Sequence, residues 1–249
     1  MMPGLFFTIA LLYALAGFGG GSSYTALMVL FDIPYTQIPL ISLTCNLIVV
    51  TGGCLYFIQR KHFNVNLLWP FALGSIPLAY LGGSIPVSKD LFLGLLGLSL
   101  CCAGLRLLWQ PGEQTETTDY IQPHWALALL IGAALGFLSG LVGIGGGIFL
   151  APLMLNLRWG TPKHVAATAS GFIWLNSVAG LLGQLSKQGA WLELSSFWPL
   201  FVAVLLGGQI GSHFASGPLP SRWLSLTTAA LVLFVGGRLL MPYLTVYLH

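Results

Sequence analysis

The chain has 249 residues, of which only 6% are charged and 56% are hydrophobic, and its formal net charge is +3. Soluble domains carry about a quarter charged residues, so this composition, with a mean hydropathy of +0.88, excludes an ordinary soluble domain and a nucleic-acid-binding surface. Apolar stretches of about 17–25 residues, long enough to cross a bilayer as α-helices, recur along the sequence. The sequence therefore predicts an all-α polytopic membrane protein, and the lack of period-two alternation argues against a strand barrel.

The first half of the chain, residues 1–109, is predicted to form one membrane repeat of five helical segments. These are expected at residues 3–16, 22–31, 37–57, 67–83 and 91–109. A run of glycines at residues 17–21 separates the first two segments. Kinks are expected at Pro70 and Pro77, which membrane helices tolerate when neighbours satisfy the freed backbone groups. No basic region precedes the first apolar run, so a cleaved signal peptide is not expected.

Residues 110–124 form a hydrophilic linker, and residues 125–249 are predicted to form a second membrane repeat. Its helices are expected at residues 125–141, 148–156, 165–185, 197–214 and 223–241, and its glycine break lies at residues 143–147. An offset of 126 residues superimposes four glycines of one break on four of the other. The pairs are Gly17 and Gly143, Gly19 and Gly145, Gly20 and Gly146, and Gly21 and Gly147.

Further matches between the halves favour a duplication over chance. Ser42 pairs with Ser170, and Gly82 pairs with Gly207, at offsets between 125 and 129 residues. If each glycine break joins the two arms of a hairpin, each repeat has five segments and the copies are inverted, as in many secondary transporters. Six basic residues then share one face of the membrane and three the other, which fits the positive-inside rule with both termini outside. If each broken pair makes one crossing instead, the division is five against four and shows no bias.

The glycine breaks themselves are the first candidate binding site. Consecutive glycines destabilise a helix interior by about 1 kcal/mol each, and they leave the backbone open to a ligand. A helix that restarts after the break presents free N–H groups and a positive dipole end, which together attract anions. The predicted cradle comprises Gly19, Gly20, Gly21, Gly145, Gly146 and Gly147, with hydroxyl donors from Ser22 and Ser23. The alternative is close helix packing, of which the series Gly132, Gly136 and Gly140 is typical.

Polar side chains inside two long apolar segments are the second set of candidates. Thr44 and Asn46 lie in the third segment, and Thr168, Ser170 and Asn176 lie in its counterpart. Thr44 and Thr51 are seven residues apart, and Asn46 is expected near the same helix face. Such groups donate to an oxyanion without placing a charge in the bilayer; the alternative is interhelical hydrogen bonding worth about 0.6 kcal/mol per pair.

Neither a metal site nor a cofactor nor a catalytic residue is predicted. The four cysteines lie inside apolar runs without zinc-site spacing, and we interpret them as small hydrophobic residues. No carboxylate–histidine pair and no serine with a neighbouring base lies within the predicted spans. The six acidic residues are all expected in loops or at helix ends, so an enzyme is the less favoured alternative.

The residues around the second break resemble a known family. GFLSGLVGIGGGIFLAPLM and the following ATASGFIWLNSVAG are similar to the TauE/SafE family of sulfite and organosulfonate transporters, and GFGGGSSYTALMVL is a weaker match in the first half. The resemblance covers nearly the whole chain and implies a permease for small sulfur oxyanions in the bacterial cytoplasmic membrane. By position it implies that the glycine loops, Asn176 and residues 168–170 form the substrate region. Where a typical member has an apolar or proline-containing helix start, this chain has Ser22, Ser23 and Tyr24.

The residues and the resemblance agree on a transporter of small anions. Export is the expected direction, because an inside-negative potential drives an anion outward. A passive anion channel and an uptake permease for another oxyanion are the alternatives. The expected partners are a small anionic substrate and the lipid bilayer; a homo-oligomer is compatible with the sequence, and no nucleic acid is expected.

Overall fold

The computed structural model describes residues 1–15, 19–109, 120–187, 194–213 and 222–246, and within these ranges it contains helices and turns but no strands. The helices are α1 (Met2–Leu15), α2 (Gly21–Leu30), α3 (Ile38–Gln59), α4 (Val65–Ser84), α5 (Lys89–Leu108), α6 (Trp125–Val142), α7 (Gly147–Asn156), α8 (Pro162–Leu185), α9 (Trp198–His213) and α10 (Arg222–Val246). Five of them, α3 to α6 and α8, are long and apolar enough to cross a membrane. The prediction of an all-α polytopic membrane protein is confirmed.

Each predicted segment corresponds to one helix, and the starts of α4 and α8 lie earlier than predicted because a side chain caps each of them. α8 begins at Pro162 rather than at residue 165, because the hydroxyl of Thr161 accepts a 3.2 Å hydrogen bond from the His164 N–H and proline suits the first helical position. α4 begins two residues early for the same reason, with Asn64 as its cap. α4 continues through both Pro70 and Pro77 to Ser84 as one helix.

The two halves of the chain pack against each other reciprocally. α1 lies against α9 and α6 lies against α4, while α3 packs against α8 and α5 against α10. Gly82 on α4 adjoins the carbonyl oxygen of Phe137 on α6, and its predicted repeat partner Gly207 on α9 adjoins the carbonyl oxygen of Phe7 on α1. In both places a β-carbon would overlap the oxygen. This equivalence supports the repeat, while the inverted orientation and the division at residues 110–124 stay predictions; residues 110–119 lie outside the described ranges.

The glycine series on α6 is a packing surface. Gly132, Gly136 and Gly140 lie against the backbone of α4 at Phe71, Ser75 and Ala79, respectively, so closely that a β-carbon at any of them would overlap a carbonyl oxygen. Small residues allow two helices to approach in this way where lipid supplies no hydrophobic drive for association. The packing interpretation is therefore correct for this series, and among the glycines only those of the two breaks remain candidates for ligand binding.

The buried core lies on both sides of these breaks. The larger apolar cluster joins α1, α2 and α3 to α5, α9 and α10, and includes the stacked rings of Phe6 and Tyr24, whose centroids are 4.9 Å apart. The second cluster joins α4 to α7 and α8 around Phe71 and Phe172. The larger cluster includes α2 and both clusters contact α7, so side-chain packing fixes both short helices.

Candidate functional site

The short helices α2 and α7 begin in the same way. Gly20, which precedes α2, has φ 81°, and Gly146, which precedes α7, has φ 75°; these left-handed conformations favour glycine. Neither helix has a side-chain hydrogen bond capping its start. Both helix N-termini therefore carry the partial positive charge of uncapped N–H groups. Gly17, at the start of the first predicted break, lies outside the described residues.

The two glycine breaks meet inside the protein. Gly21 lies against the carbonyl group of Ile144, and a β-carbon on Gly21 would overlap that oxygen. The hydroxyl of Ser42 on α3 donates to the carbonyl oxygen of Gly143 at 2.7 Å and lies 3.4 Å from that of Gly21. Ser42 was absent from the predicted site residues, although its match with Ser170 between the halves was a usable signal. Residues more than 100 positions apart thus form one structural unit.

The side chain of Asn46 lies between the two breaks. A β-carbon on Gly19 would be 2.5 Å from Asn46 Oδ1, and one on Gly21 would be 2.5 Å from Asn46 Nδ2. A β-carbon on Gly145 would be 2.8 Å from the same Nδ2 atom. Three predicted glycines therefore each contact the predicted site residue Asn46, and glycine is needed because any larger residue would displace the amide.

The amide of Asn46 is buried and unpaired. Asn46 is 0% exposed, and neither Nδ2 nor Oδ1 has a hydrogen-bond partner in the part of the chain that the structure describes. Leaving a buried polar group unpaired costs about 1–3 kcal/mol, and folded proteins rarely do so without a reason. A ligand held between the breaks would supply the missing partners, because an oxyanion accepts from Nδ2 and a protonated oxyanion also donates to Oδ1.

The other glycines of the predicted cradle face neighbouring helices. Gly20 lies against Tyr13 of α1, Gly146 against Phe172 of α8, and Gly147 against Ile173 of α8. Their role is to let the chain turn between closely packed helices. The structure thus places only part of each glycine run next to the unpaired amide.

Ser23 is directed elsewhere, and Ser22 is buried at the start of α2. The hydroxyl of Ser23 forms a 2.9 Å hydrogen bond with the Tyr13 hydroxyl, which donates a second bond of 3.2 Å to Thr228 on α10. The Tyr13 hydroxyl on α1 therefore links α2 to α10. Ser22 is 2% exposed and is the first side chain of α2 beyond Gly21, so it remains a candidate hydroxyl donor.

Asn46 does not share a face with Thr44 and Thr51, which corrects the expectation from spacing. Two residues along an α-helix correspond to a rotation of about 200°, so Asn46 lies nearly opposite both threonines. Thr44 and Thr51 are half-buried and donate to carbonyl oxygens of their own helix, at 2.8 Å to Leu40 and 2.6 Å to Leu47. Thr44 consequently satisfies its own hydroxyl within α3.

The polar residues of α8 lie close to the second break. Ile173, which contacts Gly145 and Gly147, is one turn before Asn176 on the same face. Asn176 is 0% exposed, and within the described ranges both of its amide atoms and the hydroxyl of Thr168 lack partners. Ser170 donates to the carbonyl oxygen of Ala166 at 2.9 Å. Asn176 is therefore a second buried amide, and Thr168 a buried hydroxyl, that a ligand would satisfy.

Comparison with known proteins supplies the context for this geometry. The profile of the family described as sulfite exporter TauE/SafE matches residues 2–239. The Probable membrane transporter protein y4hK of Sinorhizobium fredii is 34% identical over 238 residues, which cover 94% of this chain and 95% of that protein. The Probable membrane transporter protein YunE of Bacillus subtilis is 27% identical over 231 residues, covering 80% and 82%. No solved structure matches the chain significantly.

Proposed function

Because the chain belongs to the sulfite exporter TauE/SafE family and is an integral membrane transporter, we propose that it exports small sulfur oxyanions such as sulfite or an organosulfonate. The proposed membrane is the bacterial cytoplasmic membrane, with both termini outside. The family description supports the substrate class, and the relatives named as membrane transporters support the transport activity. An uptake permease for another small oxyanion is the alternative.

One observation carries the proposed site, namely the buried and unpaired amide of Asn46 between two uncapped helix starts. The amide donates to an oxygen of the anion, and the N-termini of α2 and α7 add a favourable potential. All of these groups are neutral or partially charged. They would bind an anion without the permanent cation that would hold it too tightly for rapid release.

The burial of Asn46 supports a carrier rather than a passive channel. With Asn46 0% exposed and residues 19–21 and 143–147 buried, an anion reaches this site only if the helices move apart. A carrier alternates between states that open to one side at a time. The two broken segments, α1 with α2 and α6 with α7, are the proposed moving parts, since Gly19, Gly21 and Gly145 of the breaks contact the amide.

Reconstitution into liposomes tests the proposal. Efflux of sulfite would be followed in parallel with sulfoacetate, sulfate, phosphate and chloride, with protein-free liposomes as the control. Saturable sulfite or sulfonate flux that is accelerated by substrate on the opposite side supports a carrier for sulfur oxyanions. Linear, unsaturable flux would indicate a channel, and a preference for phosphate or chloride would refute the proposed substrate class.

A further inference from the structure

A groove of about 400 Å³ lies between α5, α6 and α7. This volume is within the range of about 300–1,000 Å³ that is usual for ligand sites. α5 and α6 are both candidate membrane spans, so the groove is bounded by helices that cross the bilayer. The residues that matter below are Cys102 and Arg106 on α5, Ala134 on α6, and Phe149, Leu153 and Asn156 on α7.

The groove is polar at one end and apolar along its length. Arg106, in the last turn of α5, donates to the carbonyl oxygen of Pro152 on α7, one turn before Asn156 at the end of that helix, so the two polar side chains lie at the same end. Phe149 and Leu153 follow at helical spacing on α7, and Cys102 lies one turn before Arg106 on α5. An amphipathic molecule with a polar head and a hydrocarbon chain matches this arrangement.

Arg106 has donors available for such a head group. It is half-buried, and among the described residues its one hydrogen bond is from Nη2 to the carbonyl oxygen of Pro152, at 3.3 Å. A guanidinium group has five N–H donors, so most remain for a ligand. Arg158, exposed in the turn two residues beyond Asn156, adds a second positive charge near this end.

In the corresponding corner of the first half, the described residues form a hydrogen-bonded junction. There, α1, α2 and α10 meet at the hydrogen bonds that Tyr13 forms with Ser23 and Thr228. At the repeat offset of 126 residues, Ser23 corresponds to Phe149, which lines the open groove. The second half therefore has an apolar groove with an arginine at its end where the first half has a hydrogen-bonded helix junction. Helix packing alone does not require this difference.

We infer that this groove is a binding site for one anionic phospholipid. Its phosphate would lie against the Arg106 guanidinium, with the Asn156 side chain beside it, and one acyl chain would extend past Leu153 and Phe149. Basic pockets between membrane helices bind anionic head groups in this way. The apolar lining favours a lipid over a small free anion, because such an anion would gain nothing from contact with Phe149 and Leu153.

Native mass spectrometry of the purified chain in detergent tests this inference. Phosphatidylglycerol and phosphatidylcholine with identical acyl chains would be titrated separately against the wild type, Arg106→Gln and Arg238→Gln. Arg238 is an exposed arginine on α10, the helix that packs against α5, and it serves as the matched control. We expect one tightly bound phosphatidylglycerol, with its affinity lowered about fivefold or more by Arg106→Gln and unchanged by Arg238→Gln.

A second variant keeps the inference falsifiable if Arg106→Gln does not fold. Ala134→Trp would fill the groove at an exposed position of α6 while leaving the arginine in place, and should also remove the bound lipid. Equal binding of the two lipids by the wild type would overturn the inference. So would heat protection by inorganic phosphate that equals the protection by phosphatidylglycerol and is lost in Arg106→Gln, or occupation of the groove by a second copy of the chain. None of these results depends on transport activity.

Discussion

The hydroxyl of Ser42 donates a 2.7 Å hydrogen bond to the carbonyl oxygen of Gly143, and so joins α3 of the first half to the glycine break of the second half. Removing it with Ser42→Ala should lower the free energy of unfolding by about 0.6–1.7 kcal/mol, the range for interhelical hydrogen bonds in membranes. Thr44→Ala is the control, since Thr44 bonds only within its own helix. Thermal unfolding in detergent measures both, and equal effects would show that the bond does not join the breaks.

Asn46→Leu should abolish transport without lowering stability. Leucine has nearly the shape of asparagine, and replacing an unpaired buried amide by an apolar group removes a desolvation cost of about 1–3 kcal/mol. Anion flux into proteoliposomes and thermal unfolding would be measured for the wild type and for Asn46→Leu. Asn176→Leu on α8 would be measured in the same way. Full transport by Asn46→Leu would eliminate this amide as a ligand, and unfolding of the variant would give it a structural role.

Gly21→Ala should damage the protein far more than Gly94→Ala. A β-carbon at Gly21 would overlap the Ile144 carbonyl and lie 2.5 Å from Asn46 Nδ2, whereas one at Gly94 on α5 has nothing within 4 Å. The first change should cost about 1–3 kcal/mol by overpacking. The second should stabilise α5 by up to about 1 kcal/mol. The unfolding temperatures and transport rates of both variants test this prediction. If Gly21→Ala changed neither quantity, the two breaks would not be in close contact.

Cysteines introduced at Lys89 and at Arg158 should react with a membrane-impermeant reagent from opposite sides. Both positions are exposed, and the inverted arrangement places them on different faces of the membrane. Exposed Cys102 and half-buried Cys54 and Cys101 must first be replaced, so that only the new thiol reacts. Labelling of both positions from the same side in intact cells would refute the inverted arrangement and the outside location of the termini.

Sulfite efflux should respond to an imposed membrane potential. Asp32 and Asp90 are exposed at helix ends, and the other four acidic residues lie outside the described ranges. No acidic residue in the described part of the chain is therefore placed to carry a proton through the bilayer. An anion of charge −1 gains about 2.3 kcal/mol per 100 mV on leaving an inside-negative cell.

Potassium gradients with valinomycin set the potential in proteoliposomes, and Asp32→Asn and Asp90→Asn should leave the efflux unchanged. Electrically silent efflux that one of these neutralisations blocks would instead identify a proton relay.

The helices were predictable because lipid restricts a spanning chain to long apolar segments separated by turns. The start of α2 at Gly21, rather than at Ser22, depends on the left-handed conformation of Gly20, which composition does not reveal. The glycines of both breaks were predictable as a site by their repetition. The distinction between Gly21, which faces the other break, and Gly20, which faces Tyr13, arises only from tertiary packing.

Asn46 and Arg106 illustrate what sequence patterns leave open. Asn46 was one of several polar residues in α3, and its importance depends on where both breaks meet around it. Arg106 contributed only a charge to the topology argument, because the groove beside it is formed by three helices whose arrangement no local pattern specifies. In both cases the sequence shows the chemistry of the side chain but does not predict which residues surround it.

The packing of α1 against α9 also has a consequence for biogenesis. α1 (Met2–Leu15) is synthesised well before its partner α9 (Trp198–His213). At about 5–20 residues per second, α1 spends roughly ten seconds or longer in the membrane before α9 emerges from the ribosome. The surface that later receives Gly207 and Gly211 lacks its helix partner during that time. Insertion factors or lipids that shield α1 would therefore control the yield of assembled transporter.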